Sequence, residues 1–200
     1  PTEPEFWLQQ AIAFIAQNEY LEAAANFEVV KMLGAADRDM YLLLGDIYVN
    51  IDAATLALEP YTRALSTGEV KPENALNLAK VLSRRLPANQ LEEFLTEITQ
   101  TYGDKLSLEN SLTLLTLKAA NALSMNDKDG AMEMLSEVVS KDPLNGSALL
   151  TLGSYYLQEN DFEKALDYYD RASKVEAVKV DALLGASRVL VKNGKYLLAI

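Results

Sequence analysis

The chain has 200 residues, and its 18 Lys and Arg against 29 Asp and Glu give a net charge of −11. That balance excludes nucleic acid and an anionic membrane surface as main partners, because both are gripped by cations that neutralise phosphate. Neither Cys nor His occurs, which removes disulfides, the usual zinc sites and any mechanism with a histidine base or a cysteine nucleophile.

The opening "PTEPEFW" lacks a methionine and predicts a processed or trimmed chain. The compartment is therefore left open: cytoplasmic, or periplasmic or secreted where a leader has been removed. No apolar run approaches the roughly 18 residues that would span a bilayer, so no membrane insertion is expected in this segment. From Pro4 onward apolar residues recur at helical spacing. Trp7, Ala11, Phe14, Tyr20, Ala23 and Phe27 return 34 residues later as Tyr41, Gly45, Tyr48, Ala54, Ala57 and Tyr61. The period predicts one array over residues 1–200, with units opening near Pro4, Arg38, Pro72, Leu112, Gly146 and Val180. Four of the five intervals are 34; the one from Pro72 to Leu112 is 40, and its six extra residues are placed near "TYGDKLSLEN".

Each unit reads as helix, short turn, helix, with polar breakers such as "QNEY", "LPANQ", "MNDKDG", "QENDF" and "KNGKY" between the two helices. Pro60 falls inside the second helix of unit two, where a missing N–H predicts a kink or a restart. Unit three carries Leu91 and Leu95 where unit two has Ala57 and Tyr61, which predicts altered geometry there. Asn89 with Glu92, and Asn160 with Glu163, have capping-box spacing. In unit five, "LLTLGSYYLQENDFEKALDYYDRA", Gly153 sits inside a helix at a cost of about 1 kcal/mol relative to alanine. The expectation is that this bare position lets two backbones approach, with Ala165 facing it. Tyr156, Phe162 and Tyr169 then fill the space to the next hairpin. Gly45 with Ala57, and Ala119 with Ala131, repeat the arrangement. The chain stops at Ile200, one turn into its last helix, so the final unit is incomplete and the natural protein is expected to continue.

Leu149, Leu152, Gly153 and Tyr156, followed by Ala165 and Tyr169, form a pattern that resembles the tetratricopeptide repeat. Tyr41, Leu44, Gly45 and Tyr48, followed by Ala57 and Tyr61, form a second copy. Units one and four are looser, with Gln10 and Lys118 in place of leucine, and Pro143 closes the fourth. The resemblance implies an all-α, right-handed superhelical solenoid of about five and a half helix hairpins. It also implies a scaffold that binds a peptide or partner segment in a concave groove, with no cofactor and no catalysis.

The groove-lining positions implied by the resemblance are Leu8, Ile12, Leu42, Asp46, Leu76 and Lys80 in the first three units. Arg84 completes the third unit, and in the following units they are Thr116, Ala120, Leu150, Ser154 and Gln158. Leucine recurs at one of these positions (Leu8, Leu42, Leu76, Leu150 and Leu184), which suits an apolar or amphipathic peptide. Packing between neighbouring repeats explains the same leucines equally well. A family subclass clamps a C-terminal carboxylate, but Leu8 and Ile12 stand where its cation and amide belong, so that clamp is not expected. Lys80, Arg84 and Arg85 form a local cation cluster that suits a carboxylate or phosphate; a solvated face paired with glutamates is the plainer reading. Tyr155 and Tyr168 are expected to be partly exposed, and Tyr156 and Tyr169 to be core.

No Gly-rich phosphate loop and no G-x-S-x-G is present. Asp161, Glu163, Asp167 and Asp170 offer paired carboxylates, but short-looped helical repeats give them no deep cleft. The alternative to a binding groove is a structural spacer or oligomerisation module attached to another domain; a homo-oligomer formed through the truncated C-terminal end is a separate expectation. A groove binder should show exposed apolar residues on the concave side; a spacer should show its patch at one end instead.

Overall fold

A tight hairpin of two helices is readily made by a residue that leaves the first helix in the left-handed region with a helix start directly after it. Asn and Asp tolerate that region better than other residues with a side chain. In the computed structural model, which describes residues 2–194, the φ angles of Asn18, Asp52, Asn126 and Asn160 are 61°, 60°, 63° and 61°, and that of Gly194 is 73°. Asn18 and Asp52 stand 34 apart, as do Asn126, Asn160 and Gly194, so the turn recurs with the sequence period. Unit three has Leu86 at this position, a residue for which positive φ is costly. There the chain passes instead through Pro87, with φ −58° and ψ 145°.

The helices fall into two compact units, residues 1–110 and 111–200. In the first, α1 (Pro4–Ala16) packs on α2 (Tyr20–Met32), α3 (Arg38–Asn50) on α4 (Ala54–Ser66), and α5 (Pro72–Leu82) on α6 (Ala88–Tyr102). Helix α2 also packs on α3, and α4 on α6. A single 3-10 turn, Gly103–Lys105, accommodates the extra residues before α7 (Leu108–Ser124), which starts four residues ahead of Leu112. The second unit holds the rest of α7, then α8 (Lys128–Lys141), α9 (Gly146–Gln158), α10 (Phe162–Ser173), a 3-10 turn at Glu176–Val178, and α11 (Lys179–Lys192). Helix α9 packs on α8, α10 and α11, and α10 packs on α11. All regular structure among the described residues is helical. The incomplete last helix expected near Ile200 lies outside the described residues.

Three local expectations are corrected. Asn160 is consumed by the left-handed turn, so Asp161 caps α10 instead, accepting from the Lys164 N–H at 3.2 Å. Asn89 lies inside α6, whose N-cap is Pro87, and no side chain caps that helix. Helix α4 runs unbroken from Ala54 to Ser66 through a buried Pro60; burial of the ring offsets one missing ladder hydrogen bond, so the helix does not restart.

The role of Gly153 also differs from expectation. A Cβ there would lie 2.9 Å from two ring carbons of Tyr169, so it is this ring, rather than Ala165, that occupies the space. A Cβ at Gly185 of α11 would overlap the same ring. Tyr169 is thus held between α9 and α11, touching a glycine on each. In the first unit the ring of Tyr61 fills the place of a Cβ at Gly45 in the same way. Where the matching ring position carries Phe27, Leu95 or Leu135, the matching small position carries Ala11, Ala79 or Ala119. Tyrosine goes with glycine, and a side chain without a phenol goes with alanine.

Burial raises the phenol pKa of Tyr61, Tyr102 and Tyr169 above the usual value of 10.0, most strongly for Tyr61, where a hydrogen bond to Asp46 adds to it. A group that holds its proton more tightly when folded contributes stability below its unfolded pKa and loses it as pH rises. The melting temperature should therefore hold to about pH 10 and fall above it, with Tyr102→Phe flattening the decline. A melting temperature unchanged well above that pH would contradict this.

Candidate functional site

Within the second unit, α7 and α9 border a groove of about 410 Å³. Leu150, Ser154 and Gln158 line it from α9, one helical turn apart, together with Thr151 and Tyr155. Ala120, Leu123 and Ser124 line it from α7. Small residues at Ala120 and Ser124, four apart on one face, leave the space open. None of these eight side chains is charged. Along α9 the three in-line positions span about 12 Å at 1.5 Å per residue.

Ser154 is exposed and follows Gly153, whose missing Cβ makes room for the Tyr169 ring. Asp46 holds the same place after Gly45 in the first unit, and its Oδ1 accepts from the Tyr61 hydroxyl at 2.7 Å. In the first unit, a core tyrosine thus fixes a polar side chain on the outer face of α3. Beside the groove, Tyr155 meets Tyr156 edge-on at 5.1 Å, and Tyr156 stacks on Tyr168 at 5.4 Å with planes 2° apart. Lys164 Nζ lies 4.9 Å from the Tyr156 ring centre, and the Arg171 guanidinium lies 5.4 Å from that of Tyr168. Tyr156 is therefore half-buried in a surface stack and not core as expected, whereas Tyr169 is core.

The other implied lining positions are dispersed. Leu8 and Leu42 are half-buried, and Ile12 is 53% exposed. Leu76 is only 2% exposed and Thr116 5%, so neither presents a side chain to a groove. Thr116 turns its hydroxyl to the Leu112 carbonyl at 2.8 Å. Arg85 leaves the cation cluster: its Nη1 donates to the Val49 carbonyl at 2.9 Å and to Asp52 Oδ1 at 3.3 Å. Lys80 and Arg84 are exposed. Val180, Leu183, Leu184 and Val191 leave an apolar set exposed on α11.

Two of the four carboxylates singled out at α10, Asp161 and Asp170, have structural partners. Asp161 caps the helix and pairs with Lys164 at 2.9 Å, whose hydrogen bond holds its carboxyl below the usual range. Asp170 pairs with Lys174 at 2.8 Å. Among the described residues no group of acidic side chains is placed to hold a metal, and no helix is long and apolar enough to cross a membrane.

Of the groove residues, Leu123, Ser124 and Thr151 escaped the sequence reading. Ser124 stands 34 residues before Gln158, so the period alone would have found it. Leu123 and Thr151 carry no such signal, because they flank the implied face.

The tetratricopeptide repeat profile matches residues 8–72, 116–174 and 150–200. Among curated proteins no sequence relative matches. A tetratricopeptide repeat protein from Parabacteroides merdae aligns with TM-score 0.67 and 12% identity, over 98% of this chain and 75% of its own. PilW, a type IV pilus biogenesis factor, aligns with TM-score 0.61 and 19% identity, over 98% and 88%. YrrB, described as a repeat protein with an unusual peptide-binding site, aligns with TM-score 0.58 and 20% identity, over 91% of each chain. At these identities the likeness is one of fold.

Proposed function

Because the chain belongs to the tetratricopeptide repeat family, whose members mediate protein–protein interaction, we propose that it is an interaction scaffold that docks a peptide segment in the groove between α7 and α9. The observation that supports this is the groove itself: about 410 Å³, with Leu123, Leu150 and Tyr155 among hydroxyl and amide side chains. An apolar lining with a few placed polar groups is the usual composition of a ligand site. The fold is typically a non-catalytic scaffold, and the capping and pairing of Asp161 and Asp170 fit that role.

Panning a random-peptide library against the immobilised protein should yield binders. Their capture should be lost with Leu150→Asp and kept with Leu183→Asp, while helicity by circular dichroism stays unchanged in both. The reverse pattern would place the contact surface on the exposed apolar residues of α11, as an oligomerisation module would, and would sink the groove assignment.

A further inference from the structure

We propose that the outward side of α11 joins two copies of this chain as an antiparallel helix pair, with Asp181 of each copy facing Arg188 of the other. The proposal is independent of the groove between α7 and α9.

Ala182, Gly185 and Val189 are the buried residues of α11. They face α10: Ala182 shares a cluster with Ala172, and Val189 shares one with Ala165 and Tyr169. At about 100° per residue, Val180, Leu184, Ser187 and Val191 fall within about 60° of one another on the opposite side, with Leu183 next to them. Val180 is 70% exposed, and Leu183, Leu184 and Val191 are each about half-exposed. A helix that is apolar on two opposite sides is suited to being covered on both. Helix α9 shows the covered case: Leu149, 34 residues before Leu183, is fully buried in a cluster with Ala172 of α10 and Ala182 of α11.

The symmetry of the pattern selects a second copy as the cover. Helix α11 runs from Lys179 to Lys192, so Val180 and Val191 stand equally far from its midpoint, as do Leu184 and Ser187. Turned about a twofold axis through that midpoint, a second α11 lays Val191 on Val180 and sets the small Ser187 under Leu184. One flank of the stripe carries Asp181 and Arg188, both exposed and two helical turns apart. In an antiparallel pair each flank meets the same flank running the other way, so Asp181 comes opposite Arg188 twice per dimer. The helix's other two cations are engaged within the chain: Lys179 pairs with Glu176 at 3.6 Å, and Lys192 donates to the Leu157 carbonyl at 3.1 Å. An unrelated helix can cover the stripe, whereas a second α11 also matches the order of its charges. One helix face per subunit is small for an interface, which places the dimer in the weak, concentration-dependent class.

Sedimentation equilibrium of the whole 200-residue chain, from about 1 to about 500 µM, should show the average mass rising from that of one chain toward that of two. Leu184→Asp should weaken association about tenfold or more, because each dimer then buries two unpaired carboxylates. Asp181→Arg and Arg188→Asp should each weaken it by about threefold to tenfold through like-charge pairs. The double reversal should recover the parent affinity to within about threefold. All three positions are exposed, and circular dichroism melts check that each variant keeps its fold. A chain that stays monomeric across the range, or whose association ignores Leu184→Asp, overturns the proposal and gives the stripe to another occupant. Single reversals without effect, or impaired single variants with no recovery in the double one, overturn the antiparallel pairing.

Discussion

Tyr169→Ala should destabilise the chain by about 3–5 kcal/mol, the range for removing a buried aromatic. The ring is 6% exposed and belongs to a core cluster with Ala165 and Val189. Its two nearest backbones are glycines on α9 and α11, and neither has a side chain that can lean into the hole. Helix α9 also packs on α8 and α11, so the cavity cannot close without moving a helix. Urea unfolding followed by circular dichroism measures the loss. A change below about 1 kcal/mol would mean that the ring is not the link between those helices.

Gly153→Leu should cost several kcal/mol through overpacking, since cores resist extra methylenes by typically 1–3 kcal/mol and occasionally more. The Cβ alone would lie 2.9 Å from the Tyr169 ring, and the rest of a leucine has no free volume to enter on that face. The cause can be isolated with a double-mutant cycle. Gly153→Ala and Tyr169→Leu should each destabilise, yet together they recreate the pairing of Ala119 with Leu135, both fully buried in one cluster of the same unit. The double variant should be more stable than the sum of the single losses, because residues in contact are not additive. Strict additivity would separate Gly153 from Tyr169 and remove the stated reason for the glycine.

The candidate site was partly legible, and the reason is the same pairing. The 34-residue period and the helix it implies put Leu150, Ser154 and Gln158 on one face of α9, and all three line the groove. The same period put Leu76 and Thr116 on the equivalent faces, where the first is fully packed and the second is buried with its hydroxyl bonded to its own helix. Spacing fixes which residues share a helical face. It does not fix how deep the neighbouring helix sits over that face, and that depth separates a lining residue from a core residue. Asn160 shows the limit at the scale of one residue: the capping pattern was visible, but the left-handed turn had first claim on the asparagine and moved the cap to Asp161.

The amino-acid sequence by itself determined the all-helical class, the repeat length, the places where helices turn and the family. These depend on local propensity and on a periodicity that each hairpin restates. Only the tertiary structure decided which ring fills which glycine, that Tyr169 serves two helices at once, and where space is left open between α7 and α9. Those are matters of volume between elements distant in the chain, and side chains compete for that volume only once the helices are in place.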